Sequence, residues 1–131
     1  MKNMTILIAE DDRVSCEYLY EILREQAATI LIANDGIEAV SACEEHPEID
    51  LVLMDIKMPG LSGIEATRSI KALRPGLPVI AQTAYAFDGE RVSILRSGFD
   101  GYLAKPIRRE ELLTLIRKFS RQDRRAPAQE R

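Results

Sequence analysis

The sequence predicts one α/β domain, built on a parallel sheet with helices on both faces. Short apolar runs of strand length alternate with helical patterns from the amino terminus to about residue 119. The apolar runs lack the polar alternation of a half-solvated strand, so both faces of the sheet should be covered. Right-handed crossovers between parallel strands then give a doubly wound sheet. The length of 131 residues suits one such domain and is too short for two of ordinary size.

Five segments have the apolar, β-rich composition of buried strands, and each ends at charged or turn-forming residues. The predicted strands are Thr5–Ala9, Thr29–Ala33, Leu51–Met54, Val79–Thr83 and Gly101–Ala104. A helical pattern follows each strand, and the first has its apolar residues between Tyr18 and Leu23. The later patterns cover Ile37–Glu45, Ile64–Leu73, Asp88–Ser97 and Glu110–Phe119. The chain is therefore predicted to contain five βα units.

Charge is unevenly distributed along the chain. Residues 1–55 carry 13 acidic and 3 basic residues, whereas residues 56–131 carry 8 acidic and 15 basic residues. Such a split indicates an acidic site, a basic tail or both. Residues 121–131 are polar, basic and without apolar periodicity, so we expect a disordered tail after a domain spanning residues 1–120. A tail of this kind does not by itself predict nucleic-acid binding.

The composition argues against several other classes of protein. No apolar run approaches the ~20 residues that a membrane helix needs, and acidic residues interrupt the amino-terminal segment before a secretory core could form. We therefore expect a cytoplasmic chain without membrane contact. Cys16 and Cys43 fall within helical patterns and lack the spacing of metal ligands, so reduced thiols are expected.

Polar side chains stand where four of the five predicted strands end. They are Glu10, Asp11 and Asp12 after the first strand, Asp55 after the third, Thr83 at the end of the fourth, and Lys105, which Pro106 follows, after the fifth. In doubly wound sheets, ligands bind outside the carboxyl ends of the strands. We therefore expect these residues to share one crevice.

The residue types in this set point to phosphoryl chemistry. Clustered carboxylates repel unless they share a proton or a cation. Oxygen ligands without Cys or His favour Mg²⁺, with Mn²⁺ or Ca²⁺ as substitutes. Lys105 would add a positive charge and Thr83 a hydroxyl for phosphate oxygens. Asp55, on the central strand, is best placed to act as the nucleophile and form an acyl phosphate.

Four stretches of the chain resemble the signatures of the response-regulator receiver domain of two-component signalling. They are ILIAEDD, LVLMDIKMPGLSG, IAQTAYA and GYLAKPI. The stretches come in the family's order and at its spacing, and the resemblance covers roughly residues 4 to 119. It implies the flavodoxin-like strand order 2-1-3-4-5. It also implies a signalling domain that catalyses only its own phosphorylation and dephosphorylation, and not an enzyme acting on other substrates.

The resemblance implies a role for most residues of the expected crevice and for two residues outside it. Asp55 is implied to be the phosphoacceptor, and Glu10 and Asp11 are implied to help hold Mg²⁺. The remaining implied roles are those of the Lys57 backbone carbonyl as a metal ligand, Thr83 as the switch hydroxyl, Lys105 as the phosphate-binding lysine and Tyr102 as the aromatic switch.

Four positions add detail to the match with the family pattern. Glu10 stands where many members have Asp, and its longer side chain favours coordination through water. Asp12 follows the acidic pair and is expected to cap the first helix. Lys57 and Tyr85, two residues after the phosphoacceptor and the switch threonine, should border the path of the water that hydrolyses the acyl phosphate. We hypothesise that the bulky Tyr85 restricts in-line attack and prolongs the phosphorylated state.

The resemblance also implies partners and a switch. The phosphodonor would be a histidine kinase or a histidine phosphotransfer protein. Movement of Thr83 toward the phosphoryl group would let Tyr102 turn inward, and so change the surface formed by helix 4, strand 5 and helix 5. A downstream effector or a second copy of the chain would read this surface. Nucleic acid is not expected as a partner.

Alternatives stay open both inside and outside the family. The stretch MDIKMPGLSGIEATRSIKAL, together with IAQTAYA and GYLAKPI, resembles the receivers of hybrid sensor histidine kinases more than it resembles a stand-alone single-domain regulator. A phosphoaspartate-type hydrolase would carry a second Asp where Lys57 stands, and would need a cap domain for which the length leaves no room. A flavodoxin-like flavin binder would need a Ser/Thr-rich loop after the first strand, where three acids would repel phosphate.

Overall fold

The computed structural model describes residues 4–26, 29–84 and 88–129 of the chain. These residues form five parallel strands and five helices in alternation, and the strand order β2-β1-β3-β4-β5 confirms the expected topology. No helix in this part of the chain is long and apolar enough to cross a membrane. In chain order the elements are β1 (Thr5–Ala9), α1 (Arg13–Leu23), β2 (Thr29–Ala33), α2 (Gly36–Glu45), β3 (Leu51–Asp55), α3 (Gly63–Leu73), β4 (Val79–Thr83), α4 (Asp88–Arg96), β5 (Gly101–Ala104) and α5 (Arg109–Gln129).

The sheet separates two apolar cores. Strands β1, β3 and β4 are buried along their whole length, as unbroken apolar runs predict. Leu7 and Val52 face the core that includes residues of α2, α3 and α4. Ile6 and Leu53, one position away, face the core that includes residues of α1 and α5. The strands β1, β3 and β4 are therefore packed against helices on both faces of the sheet.

The first helix begins at Arg13 because Asp12 caps it. The Asp12 carboxylate accepts a hydrogen bond from the backbone N–H of Ser15 at 2.9 Å, so the expected capping role is confirmed. Helix α3 begins with a capping box, in which Ser62 and Glu65 each accept from the other's backbone N–H. These caps fix the residues at which α1 and α3 begin.

The fifth helix is longer than the apolar pattern predicts. The pattern ends at Phe119, whereas the helix continues to Gln129. The added stretch lacks glycine, and its Arg, Gln and Ala residues favour a helix, whereas Pro127 disfavours one. The division into a domain of residues 1–120 and a tail of residues 121–131 stays a prediction.

Gly63 sets the distance between α3 and the end of β3. A Cβ atom at this position would overlap the carbonyl oxygen of Asp55 and lie 2.8 Å from the Cα of Ile56. The backbone N–H of Gly63 donates to the carbonyl oxygen of Ile56 at 2.9 Å. Only glycine allows this approach without displacement. The backbone of Asp55 is therefore held by the start of the next helix.

Candidate functional site

The sheet brings the expected site residues to one edge. Asp55 ends β3, the middle strand, and Gln82 lies beside it in register on β4. Glu10 follows β1 on one side of Asp55, while Thr83 ends β4 and Lys105 follows β5 on the other. These residues line one cavity of about 240 Å³, which we call the acidic crevice. The topological argument from strand ends thus placed the crevice correctly.

Three carboxylates converge in the acidic crevice. Ligand oxygens of Glu10, Asp11 and Asp55 all lie within 4.8 Å of one another. Glu10 and Asp55 are buried, with 1% and 5% of their surface exposed, whereas Asp11 is exposed. Two buried acids beside an exposed one give a site that is deep on one side and open to solvent on the other.

The Glu10 side chain uses both of its oxygens within the crevice. Its Oε2 accepts from the backbone N–H of Asp12 at 3.1 Å, and its Oε1 lies 3.3 Å from the ammonium of Lys105. The side chain of Glu10, which is longer than that of an aspartate, therefore reaches back to the backbone of Asp12. Asp12 itself points its carboxylate at Ser15, whose hydrogen bonds hold the pKa of Asp12 below its usual value.

Lys105 supplies the positive charge of the crevice. Its Nζ lies 3.3 Å from Asp55 Oδ1 as well as 3.3 Å from Glu10 Oε1. Its backbone N–H donates to the carbonyl oxygen of Thr83 at 2.7 Å, which ties the residue after β5 to the end of β4. The Lys105 side chain is 26% exposed. Its ammonium is therefore accessible to solvent although it contacts the buried carboxylates of Glu10 and Asp55.

The crevice has more negative than positive charge. Burial and the neighbouring Glu10 raise the pKa of Asp55 to about 7, although Lys105 opposes this rise. Burial disfavours the charged form of Lys105, but the carboxylates of Asp55 and Glu10 outweigh it and raise the pKa of the ammonium. The crevice thus favours either a proton on the acids or a cation beside them. A hard divalent cation fits this all-oxygen donor set.

The other expected site residues lie in the crevice, against the core or outside the described residues. Thr83 is buried at the end of β4, with 3% of its surface exposed, and Lys57 is exposed at the rim of the crevice. Tyr102 is half-buried on β5 and packs against the core beneath α2, α3 and α4. Tyr85 lies outside the described residues.

Two features of the site were missed in the sequence. Gln82, beside Asp55, is fully buried, and neither polar atom of its amide has a hydrogen-bond partner among the described residues. An amide within the otherwise apolar run of β4 was the available signal. The hydroxyl of Tyr18 donates to the carbonyl oxygen of Ile107 at 2.8 Å, across 89 positions of sequence. That contact has no local sequence signal.

The fold and this site define a doubly wound α/β domain with an acid cluster and a lysine at the carboxyl edge of its sheet. Residues 6–117 match the sequence profile described as the response regulator receiver domain. The match covers most of the chain, and the chain belongs to this family of two-component signalling domains.

Solved structures support the assignment. The receiver domain of sensor histidine kinase PA1611 from Pseudomonas aeruginosa PAO1, with a magnesium ion coordinated in its active site cleft, is 36% identical. That comparison has a TM-score of 0.82 and covers 89% of this chain and 97% of that one. The receiver domain of the Francisella response regulator 1452 is 26% identical, with a TM-score of 0.86 over 92% of this chain and 99% of that one.

Curated relatives include both sensor kinases and response regulators. The chain is 35% identical to the sensor protein GacS of Pseudomonas syringae pv. syringae over 96% of this chain. It is 38% identical to the response regulator MprA of Mycobacterium leprae over 90% of this chain. It spans only 14% of GacS and 51% of MprA, so it corresponds to one part of each.

Proposed function

We propose that Asp55 accepts a phosphoryl group from a phosphohistidine, in a reaction that requires Mg²⁺. The observation that carries the proposal is the position of the Asp55 carboxylate, which clusters with Glu10 and Asp11 and lies 3.3 Å from the Lys105 ammonium. A nucleophile, a set of oxygen ligands and a fixed positive charge are therefore side by side. Phosphoryl transfer needs little more than this positioning and charge neutralisation.

Glu10, Asp11 and Asp55 are the side chains that would hold the metal ion, with the backbone carbonyl of Lys57 as a further ligand. The excess of carboxylate in the crevice supports this proposal, because a bound cation would offset the burial and the repulsion by Glu10 that raise the pKa of Asp55. The magnesium ion in the cleft of the PA1611 receiver supports the choice of Mg²⁺. Bound Mg²⁺ would supply positive charge to the phosphoryl oxygens.

The chemical step uses Asp55 as the nucleophile. One carboxylate oxygen of Asp55 attacks phosphorus, while the bond from phosphorus to the donor's imidazole nitrogen breaks and the imidazole leaves with the electron pair. Lys105 donates to a phosphoryl oxygen, and the Thr83 hydroxyl donates to another. Water later cleaves the acyl phosphate and returns Asp55 together with inorganic phosphate. The chain turns over only its own phosphoryl group, so it is not an enzyme toward other substrates.

Phosphorylation would be read at the switch surface, which we define as the outer faces of α4, β5 and α5. The phosphoryl group raises the charge at Asp55 from one negative charge to about two and adds acceptor oxygens. Thr83 would move to donate to it, and Tyr102 would then turn inward from β5. A downstream effector or a second copy of the chain would bind the changed surface.

Hydrolysis of the acyl phosphate would end the signal, and the attacking water would pass the residues that follow Asp55 and Thr83. Lys57 borders the crevice, and Tyr85 stands two residues after Thr83. We propose that the Tyr85 ring obstructs in-line attack and lengthens the life of the acyl phosphate. Tyr85→Ala should then shorten the half-life of the phosphorylated chain severalfold, and an unchanged half-life would contradict this role.

The setting of the domain is proposed from its relatives. Similarity to GacS and to the PA1611 receiver supports a receiver belonging to a hybrid sensor histidine kinase. Similarity to MprA supports the alternative of a separate response regulator. In either setting we expect a cytoplasmic chain with a histidine kinase or a histidine phosphotransfer protein as donor. Sequencing the coding region upstream of Met1 would decide between the two settings.

Labelling by acetyl phosphate tests the phosphoacceptor directly. The chain should become stoichiometrically phosphorylated when Mg²⁺ is present, and Asp55→Asn should abolish the labelling. Asp50→Asn is the matched control, because Asp50 precedes the same strand and accepts a hydrogen bond from the Thr5 backbone that Asn can also accept. Stoichiometric labelling of Asp55→Asn, or no labelling of the native chain, would overturn the proposal.

A further inference from the structure

The segment that carries Lys105 is held to helix α1 by one side chain. The Tyr18 hydroxyl donates to the carbonyl oxygen of Ile107 at 2.8 Å. The Ile107 side chain is buried in the core shared by α1 and α5, with 7% of its surface exposed. The hydrogen bond therefore fixes the backbone two residues after Lys105, at the point where the chain enters the core.

A second hydrogen bond fixes the backbone on the other side of this segment. The Lys105 backbone N–H donates to the carbonyl oxygen of Thr83 at 2.7 Å. The two hydrogen bonds thus bracket the short connection from Lys105 to Ile107, one from β4 and one from α1. Between them, Pro106 has no backbone N–H with which to make a further bond.

A cavity of about 640 Å³ lies between α1 and this segment. Val14 and Leu19 of α1 form one wall, and Lys105, Pro106 and Ile107 form the other. The volume is many times that of one water molecule, which occupies about 30 Å³ in the liquid. Apart from the buried Ile107 side chain, the segment is therefore not closely packed against this part of α1. The Tyr18 hydrogen bond is a direct polar contact between the helix and the segment.

We propose that Tyr18 is a positioning residue for Lys105 in phosphoryl transfer to Asp55. This inference rests on the proposed function. The Lys105 ammonium must meet phosphoryl oxygens from a position that is already 3.3 Å from both Glu10 and Asp55. A displacement on the order of 1 Å weakens such preorganised stabilisation strongly. Tyr18 acts on the backbone of the segment and does not touch the reacting groups.

Tyr18→Phe removes one oxygen atom and so isolates the hydrogen bond. We expect the rate of phosphorylation by acetyl phosphate to fall about three- to tenfold, the effect of losing one hydrogen bond. The affinity for Mg²⁺ should stay within about twofold, because the carboxylates do not lie on the Lys105 segment. Acetyl phosphate is the appropriate donor because it excludes any contribution of Tyr18 to docking of a protein partner.

Tyr20→Phe is the matched control, since Tyr20 lies on the same helix and does not line the cavity. This variant should be phosphorylated at the native rate. Thermal unfolding of both variants checks that they are folded at the assay temperature. A native rate in Tyr18→Phe would overturn the positioning role while leaving the phosphoacceptor assignment intact. Absence of labelling in the native chain would instead remove the proposed function on which the inference rests.

A double-mutant cycle separates positioning of Lys105 from a general structural effect. In a Lys105→Met background the ammonium is gone, so the further change Tyr18→Phe should have no effect on the remaining rate. If Tyr18→Phe lowers the rate by the same factor in both backgrounds, Tyr18 does not act through Lys105 and the proposal is wrong.

Discussion

The Lys105 ammonium lies 3.3 Å from the carboxylate of Asp55, and it lies at the same distance from Glu10. These partners are 50 and 95 positions away from Lys105 in the sequence. Both distances exceed the ~2.7–2.9 Å of a tight ammonium–carboxylate pair. The cation is therefore shared between two buried acids, so one positive charge serves two groups of the crevice.

Loss of this shared cation should impair phosphorylation more than any change at the rim. We expect Lys105→Met to lower the rate of labelling by acetyl phosphate about a hundredfold, the usual scale for removing a preorganised charge donor. It should also raise the pKa of Asp55, because Lys105 opposes the effects of burial and of Glu10. Lys118→Met, on the exposed side of α5, is the control and should leave both quantities unchanged. An unaltered Asp55 pKa in Lys105→Met would show that the two groups are not coupled.

The metal-free domain should become less stable as the pH rises from about 4 to about 7. The pKa of Asp55 is raised from 3.8 to about 7 in the folded chain, so the folded state holds a proton that the unfolded chain has lost. Stability from this group is therefore complete below the unfolded pKa and is lost as the pH passes the folded one. Between pH 5 and pH 8 we expect a loss of about 2 kcal/mol, measured by urea unfolding in EDTA.

Two variants check the source of this pH dependence. Asp55→Asn cannot titrate and should remove most of the loss between pH 5 and pH 8. Asp12→Asn should retain it, since the pKa of Asp12 is lowered and its titration lies below this window. An equal slope in the native chain and in Asp55→Asn would show that another group is responsible.

Local pattern was sufficient for most of the fold. The predicted bounds of β1, β2, β4 and β5 are those observed, and β3 differs only by including Asp55. Parallel topology was then sufficient to bring Glu10, Asp55, Thr83 and Lys105 together, because the carboxyl ends of the strands share an edge. Contacts that depend on tertiary distance could not be predicted in this way. The hydrogen bond from Tyr18 to Ile107 belongs to this second kind. The burial of Gln82, by contrast, follows from its place in the apolar run of β4.

Replacing Gln82 should not destabilise the domain, despite its complete burial. Neither amide atom has a hydrogen-bond partner among the described residues, and an unsatisfied buried polar group costs about 1–3 kcal/mol. Gln82→Met retains the length of the side chain and removes both polar atoms. We expect the free energy of unfolding to rise by about 1 kcal/mol, measured by urea denaturation. A loss of more than about 1 kcal/mol would indicate that water in the adjoining cavity satisfies the amide.

Gly63 should tolerate no side chain, because it holds the start of α3 against the end of β3. A Cβ there would overlap the carbonyl oxygen of Asp55, which is backbone and cannot move without displacing the phosphoacceptor strand. We expect Gly63→Ala to lower the free energy of unfolding by about 1–3 kcal/mol and to slow labelling of Asp55. Gly76→Ala is the matched control, since a Cβ at Gly76 meets no atom within 4 Å. Equal free energies of unfolding for the two variants would mean that α3 can move away from the end of β3 at little cost, which would contradict this prediction.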